Sequence, residues 1–180
     1  EDEDGLGVKE LEKDVDRLKT ISERFSKIGS TPTLNDFDLN ETLQINYDYL
    51  KSRISNRVNF TFKKTYEPIM VAHSRILLSW VIENLVKNAV DAMKGEGILN
   101  LELYTKGKMV YIDIKDSGVG MSKVQASRVF KAGYSTKKRG WGLGLSLAKR
   151  VIKEYHKGDI KVVNPELGKG ATFRITLKHQ

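Results

Sequence analysis

Ile98-Leu-Asn-Leu-Glu-Leu-Tyr104 and Met109-Val-Tyr-Ile-Asp-Ile-Lys115 both alternate apolar and polar residues, and Lys106-Gly107-Lys108 links them. Period-two alternation puts every other side chain on one face of a strand, and a short glycine-centred link between two such runs reads as a hairpin. A hairpin makes at least part of the sheet antiparallel. That argues against a doubly wound parallel sheet, in which strands and helices alternate strictly.

Upstream, Ser74 to Met93 carries Ile76, Leu77, Trp80, Val81, Leu85, Ala89 and Val90 in a helical pattern that Gly95 and Gly97 end. Val58 to Tyr66 sets Val58, Phe60 and Phe62 against polar neighbours, as in a half-buried strand. Asp38 with Glu41 three residues on resembles a capping box. It predicts a helix to about Ile54 with Leu39, Leu43, Tyr47, Leu50 and Ile54 inward. Downstream, 121–139 reads as irregular with one short helix, Gly142 to about Tyr155 as a helix, and Asp159–Val163 and Ala171–Leu177 as strands. No internal repeat is present. The predicted fold is α+β, a two-layer sandwich whose mixed sheet is covered on one face by helices.

The first 32 residues differ from this body. Val8, Leu11, Val15, Leu18 and Phe25 fall on alternating three- and four-residue steps, Ile21 and Ile28 widen the stripe, and Gly29 with Pro32 stops it. Residues 1–32 therefore read as an amphipathic helix and linker, and 33–180 as one domain. Nine acids against four bases give residues 1–23 a net charge near −5, so the remainder carries about +13 of the overall +8. A basic body suits nucleic acid, an anionic surface or a polyanionic small ligand. No basic stripe interleaved with aromatics is present, and nucleic acid is not expected. The absence of cysteine excludes disulfides and thiolate metal sites. No apolar run approaches the ~18 residues of a membrane span, and the acidic first residues do not read as a signal peptide.

Four segments carry the chemistry. Asn84 and Asn88 lie four apart, so both amides project from one helix face, and Asp91 extends that face. Amide oxygens suit Mg²⁺ and amide nitrogens donate to phosphate. Taken alone, the pair is equally a polar stripe opposite Leu85, Ala89 and Val90. Asp116 ends a strand just before Gly118 and Gly120. A buried carboxylate there can accept from an adenine amine, while the bare segment is equally an ordinary Asp-Ser-Gly turn. Gly140-Trp-Gly-Leu-Gly-Leu145 runs into a helix whose free N–H groups attract phosphate. Lys131, Lys137, Lys138 and Arg139 lie between the two glycine clusters.

The order and spacing of Glu83-Asn-Leu-Val-Lys-Asn-Ala89, Asp116-Ser-Gly-Val-Gly-Met121, Ser135-Thr-Lys-Lys-Arg139 and Gly140–Leu145 resemble the ATP-binding domain of bacterial sensor histidine kinases. That domain belongs to the GHKL superfamily, which also holds gyrase, MutL and the heat-shock 90 chaperones and shares a Bergerat-type fold. The resemblance covers roughly 34–178. It implies that Asn88 binds Mg²⁺ and that Asn84 and Lys87, flanked by Asp91, contact the phosphates of ATP. Asp116, Gly118, Gly120 and Met121 would form the G1 box around the adenine. Phe130 and the run through Ser135, Thr136, Lys137 and Lys138 resemble the F box and lid, with Lys137 the favoured phosphate contact. Asn84 and Lys137 would be the catalytic pair. Gly140, Trp141, Gly142, Leu143, Gly144 and Leu145 resemble the G2 box, with Trp141 where the family commonly has Thr or Ser. Gly168-Lys-Gly170-Ala-Thr172-Phe-Arg174 resembles the family's last nucleotide element, in which Thr172 would sit near the adenine, or serve as an ordinary β-branched strand residue.

Val15–Ile28 is similar to the second helix of the family's dimerisation and phosphoacceptor domain. The implied partners are an acceptor helix of the same or a partner protomer, a response regulator, and a second copy in the full-length protein. The implied location is the cytoplasm, alone or as the cytoplasmic part of a membrane-bound sensor. None of His73, His156 and His179 lies in a phosphoacceptor motif, so each reads as solvated or capping. The chain is expected to bind ATP–Mg²⁺ without phosphorylating itself. ATPases of the superfamily place a general-base Glu where Asn84 stands; Glu83 is about 100° round the helix. A nucleotide-binding module without transfer activity is the other alternative. No Walker A segment and no protein-kinase His-Arg-Asp occur.

Overall fold

A computed structural model describes residues 32–136 and 142–179. Its elements run β1 (Asn35–Asp38), α1 (Leu39–Lys51), β2 (Val58–Lys63), β3 (Met70–His73), α2 (Arg75–Ala92), β4 (Gly97–Lys106), β5 (Met109–Asp116), α3 (Lys123–Arg128), α4 (Gly144–Arg150), a π-helical turn (Val151–Tyr155), β6 (Asp159–Val163) and β7 (Thr172–Lys178). The chain divides between Pro32 and Thr33 into two units, and all of these elements belong to the second. The helix expected over 8–28 lies outside the described residues.

Five strands form one sheet in the order β2-β4-β5-β7-β6. The hairpin pairs Lys106 with Met109, as the alternation requires, and β5–β7 and β6–β7 are also antiparallel. β2 runs parallel to β4, with Val58 opposite Gly97. A parallel neighbour needs a crossover, and here β3 and α2 supply it. The sheet is mixed and the fold α+β.

Alternation sorts the two faces. Leu99, Leu101 and Leu103 of β4, Val110, Ile112 and Ile114 of β5, and Phe173, Ile175 and Leu177 of β7 are buried. Leu39, Leu43 and Leu50 of α1 and Leu78, Ile82 and Leu85 of α2 are buried as well. Each such side chain contributes roughly 1.5–3 kcal/mol through burial. On the opposite face Tyr104 stacks on Tyr111 at 5.1 Å. Arg174 donates two hydrogen bonds to Asp113 beside them, at 2.8 and 2.7 Å.

Ser74 caps α2, its hydroxyl accepting from the Leu77 N–H. The helix ends through Lys94 and Gly95, which take left-handed φ of 55° and 78°. At α1 the capping is not the expected box. Asp38 accepts from the N–H groups of Asn40 and Ile69, so one carboxylate both caps the helix and fastens the chain before β3. Glu41 turns instead to Arg75, at 2.9 Å. The helix also stops at Lys51 rather than Ile54, and β2 stops at Lys63 rather than Tyr66. β1 and β3 form an unanticipated two-stranded antiparallel pair.

His73 departs from the solvated or capping role expected of it, whereas His156 does cap, closing the π-helical turn, but from a buried position. His73 is fully buried, and its Nε2 lies 2.9 Å from the Thr42 hydroxyl. His156 is 7% exposed and accepts from the Ser74 N–H. Burial holds both imidazoles below their usual pKa, more than their backbone hydrogen bonds offset.

Candidate functional site

Asp116 is the last residue of β5 and is 3% exposed. Its main-chain N–H donates to the Ala171 carbonyl at 2.9 Å. The N–H groups of Gly118 and Ala171 both donate to Oδ1, at 2.8 and 3.3 Å. Oδ2 is thereby left as the oxygen for a ligand's donor. Burial raises the carboxyl above its ordinary pKa, and the two backbone donors oppose that rise. The geometry is a buried acceptor fixed by two backbone donors.

Two glycines make this arrangement possible. Gly170 has φ +73°, and a Cβ there would overlap the carbonyl oxygen of Asp116. Gly120 has φ +65°, and a Cβ there would overlap the Glu166 carbonyl. Left-handed backbone and close approach together require glycine at both positions. The pairing of Gly120 with Leu167 and the bond from Gly168 N–H to the Val119 carbonyl complete the lock between the two loops. Sequence reasoning singled out Gly168–Gly170 only through Thr172. The backbone of Ala171, which holds Asp116, carried no side-chain signal.

α2 connects this carboxylate to the second glycine cluster. At its C-terminal end the Ala92 carbonyl accepts from Val119 N–H, and Gly118 lies so close that a Cβ would meet that carbonyl at 2.7 Å. Eight residues back, about 12 Å along the helix, the Asn84 amide lies against Gly144, where a Cβ would be 2.6 Å from Oδ1. Asn84 Nδ2 is buried there without a hydrogen-bond partner. Buried unpaired donors are rare and costly, so this one marks a place for an acceptor. Asn88 is half-buried, while Lys87 and Asp91 are exposed. α4 opens at Gly144 with no side-chain cap, so its first N–H groups are available to an anion. The G2 helix begins at Gly144 rather than Gly142, and Gly142 and Leu143 lead into it.

Between the clusters, Phe130 packs edge-on against Phe173 at 6.1 Å, and the Lys149 ammonium lies 5.5 Å from the Phe130 ring centre. Gly133 N–H donates to the Gly142 carbonyl at 3.1 Å, which closes the base of the connecting segment. Ser135 and Thr136 are exposed, and Met121 is half-buried before the Ser122–Gln125 capping box of α3. Lys137, Lys138, Gly140 and Trp141 lie outside the described residues. Thr172 opens β7 opposite Lys115, directly after the Ala171 that binds Asp116. Of the expected residues, the structure thus groups Asn84 with Gly144 and Asp116 with Gly118, Gly120 and the start of β7.

Residues 73–180 match the family described as histidine kinase-, DNA gyrase B- and HSP90-like ATPases. Sporulation kinase C of Bacillus subtilis (strain 168) is 31% identical over 147 residues, covering 82% of this chain and 33% of that protein. Sensor histidine kinase ZraS of Escherichia coli (strain K12) is 31% identical over 172 residues, covering 93% of this chain and 36% of that protein. The chain spans about a third of the length of these relatives. Among solved structures, the catalytic domain of histidine kinase ThkA superposes with a TM-score of 0.73 at 26% identity, covering 82% of this chain and 96% of that one. The chain belongs to the histidine kinase-, DNA gyrase B- and HSP90-like ATPase family, as a catalytic ATPase domain of the sensor histidine kinase kind.

Proposed function

We propose that this domain binds ATP with Mg²⁺ and presents the γ-phosphoryl to a histidine on an acceptor helix. The observation that carries the reading is the α2 flank. It has a buried carboxylate with one oxygen to spare at one end, and an unpaired buried amide facing an uncapped helix start at the other. Asp116 Oδ2 would take the adenine amine, and Asn84 Nδ2 with the first N–H groups of α4 would take phosphate oxygens. No cluster of three or more His, Asp or Glu occurs among the described residues. A divalent cation here would therefore rely on amide and phosphate oxygens, with Asn88 as its protein ligand. Bound there, it would supply neutralising charge for phosphoryl transfer.

Lys87 on α2 and Lys137, Lys138, Ser135 and Thr136 in the lid would add charge and hydrogen bonds around the phosphates. Gly140, Trp141, Gly142, Leu143 and Leu145 would shape the second glycine cluster. The domain's contribution is placement and charge rather than a covalent intermediate. Residues 1–32 fit the second helix of a dimerising acceptor domain, since the ZraS alignment covers 93% of the chain, more than the body alone supplies. The partners we assign are an acceptor helix, a response regulator and, in the full-length protein, a second copy. No helix among the described residues is long and apolar enough to cross a membrane. We place the domain in the cytoplasm, where ATP is, as a free protein or as part of a membrane sensor.

Nucleotide titration with and without Mg²⁺ on the wild type, Asn88→Ala and Asp116→Ala tests this. Each substitution is expected to weaken ATP binding by at least about tenfold, near 1.4 kcal/mol. Unchanged affinity in both overturns the site. Adding a separate acceptor hairpin with ATP is expected to give acid-labile phosphohistidine on the hairpin. ATP binding without any such label supports the non-transferring module instead.

A further inference from the structure

α2 and α4 are fastened to each other at two places. At the nucleotide end, Asn84 packs against Gly144. At the other end, the main-chain N–H of Ser74, the cap of α2, donates to Nε2 of His156 at 3.2 Å. From Ser74 to Asn84 is ten residues, about 15 Å of helix. α4 and its π-helical turn cover that span in the opposite direction.

The hydrogen-bond partners fix the state of the His156 ring. Val151 O can only accept, so Nδ1, 2.9 Å away, carries the hydrogen. Ser74 N–H can only donate, so Nε2 carries none. The imidazole is therefore neutral and in one tautomer. The π-helical turn inserts an extra residue before His156, whose own N–H also returns to Val151 O at 3.2 Å. Such insertions re-aim the residue that comes after them. His73, the chain neighbour of Ser74 and itself buried, belongs to β3 and bonds to Thr42 and Val71 instead.

We propose that His156 is a positioning residue for the triphosphate. By holding the main-chain N–H of Ser74, the cap residue of α2, it sets α2 against α4, and with them the gap between the Asn84 amide and the start of α4 at Gly144. This role deepens the proposed nucleotide function and rests on it. The base is held elsewhere, by Asp116 beyond the far end of α2, so loosening the Ser74 bond should act on phosphates and spare the base. A histidine that merely filled the core would lower thermal stability and leave that selectivity untouched.

The experiment compares AMPPNP–Mg²⁺ with AMP, by calorimetry and NMR titration, below the melting temperature of every variant. His156→Phe removes the acceptor, His156→Gln restores one at similar reach, and Ser74→Pro removes the donor in an extended segment that tolerates proline. Ser74→Ala controls for the lost hydroxyl cap. His156→Phe and Ser74→Pro are expected to weaken AMPPNP by about tenfold or more while AMP affinity stays within about twofold. His156→Gln and Ser74→Ala are expected to bind AMPPNP like the wild type. Unchanged AMPPNP affinity in His156→Phe, or an equal loss for AMP, overturns the proposal; if His156→Phe does not fold, Ser74→Pro decides by the same criterion. Asp116→Ala separates the two levels. Loss of both nucleotides there supports the site, whereas full binding in that variant overturns the site and this inference with it.

Discussion

Asp116 and Ala171 grip each other twice, main chain to main chain at 2.9 Å and main chain to carboxylate Oδ1 at 3.3 Å. The side chain we assign to the ligand is thus held through the backbone of a residue 55 positions away, just before β7. Affinity gained by fixing a polar group in advance has a cost in the unliganded state, because the charge is kept out of water.

That cost predicts opposite effects of one substitution. Burial raises the Asp116 pKa, so the folded state binds its proton more tightly than the unfolded chain does. Stability from this group is therefore present at low pH and lost as pH rises through the folded pKa. Asp116→Asn keeps an oxygen for Gly118 and Ala171 but turns an NH₂ toward the adenine amine. Near pH 7 its thermal midpoint is expected to match or exceed that of the wild type, while ATP affinity falls at least about tenfold. A midpoint well below wild type at pH 7 would show that the charge stabilises the fold.

Gly170→Ala should damage both properties at once. Its left-handed φ of 73° and the overlap of a Cβ with the Asp116 carbonyl leave alanine nowhere to go. The conformational part alone costs about 1–2 kcal/mol, and displacing Asp116 should weaken ATP. Urea denaturation and nucleotide titration on the same sample check this.

The two buried histidines predict loss of stability on acidification. Their folded pKa values are depressed, so below the unfolded value near 6.5 the unfolded chain takes up protons that the folded one resists. Stability is then full above that value and declines as pH falls toward the folded pKa values. The urea midpoint is expected to be flat from neutral pH upward and to drop as pH falls below about 6.5. In His73→Gln combined with His156→Gln the drop should shrink.

The Asp113–Arg174 pair on the open face of the sheet gives a negative control. Its two short hydrogen bonds hold the guanidinium above its usual pKa range, and removing one partner strands the other in a half-buried site. Asp113→Ala is expected to cost roughly 1–3 kcal/mol of stability and leave ATP affinity unchanged. A loss of nucleotide binding would place this face in the site.

The strongly periodic elements were legible in the chain itself: α2 and the β4–β5 hairpin stand where the patterns put them, and the helix after the second glycine cluster starts two residues late, at Gly144, and turns π-helical at Val151. β1 and β3 were not, because four-residue strands such as Asn35–Asp38 hold too few alternations to register. The Asp38–Glu41 pattern misled for a different reason. A carboxylate that reaches Ile69 and a glutamate that reaches Arg75 answer to tertiary neighbours no local rule contains. In the candidate site, Asn84 and Asp116 could be singled out by side-chain type and spacing, whereas the backbone of Ala171 and the bond from Ser74 to His156 could not. Those depend on chain segments brought together only by folding.

The parallel strand β2 has a consequence for how the domain breathes. Among the described residues it bonds to the sheet along one edge, with Val58 opposite Gly97 of β4. Asp116 and Ala171 sit on or beside the interior strands β5 and β7. Amide protons of Val58–Lys63 should therefore exchange through local opening, at rates insensitive to nucleotide, while those of β5 and β7 exchange only on global unfolding and slow further when ATP is bound. On this reading the edge would act as an expansion joint, and fluctuation there would leave a bound nucleotide held.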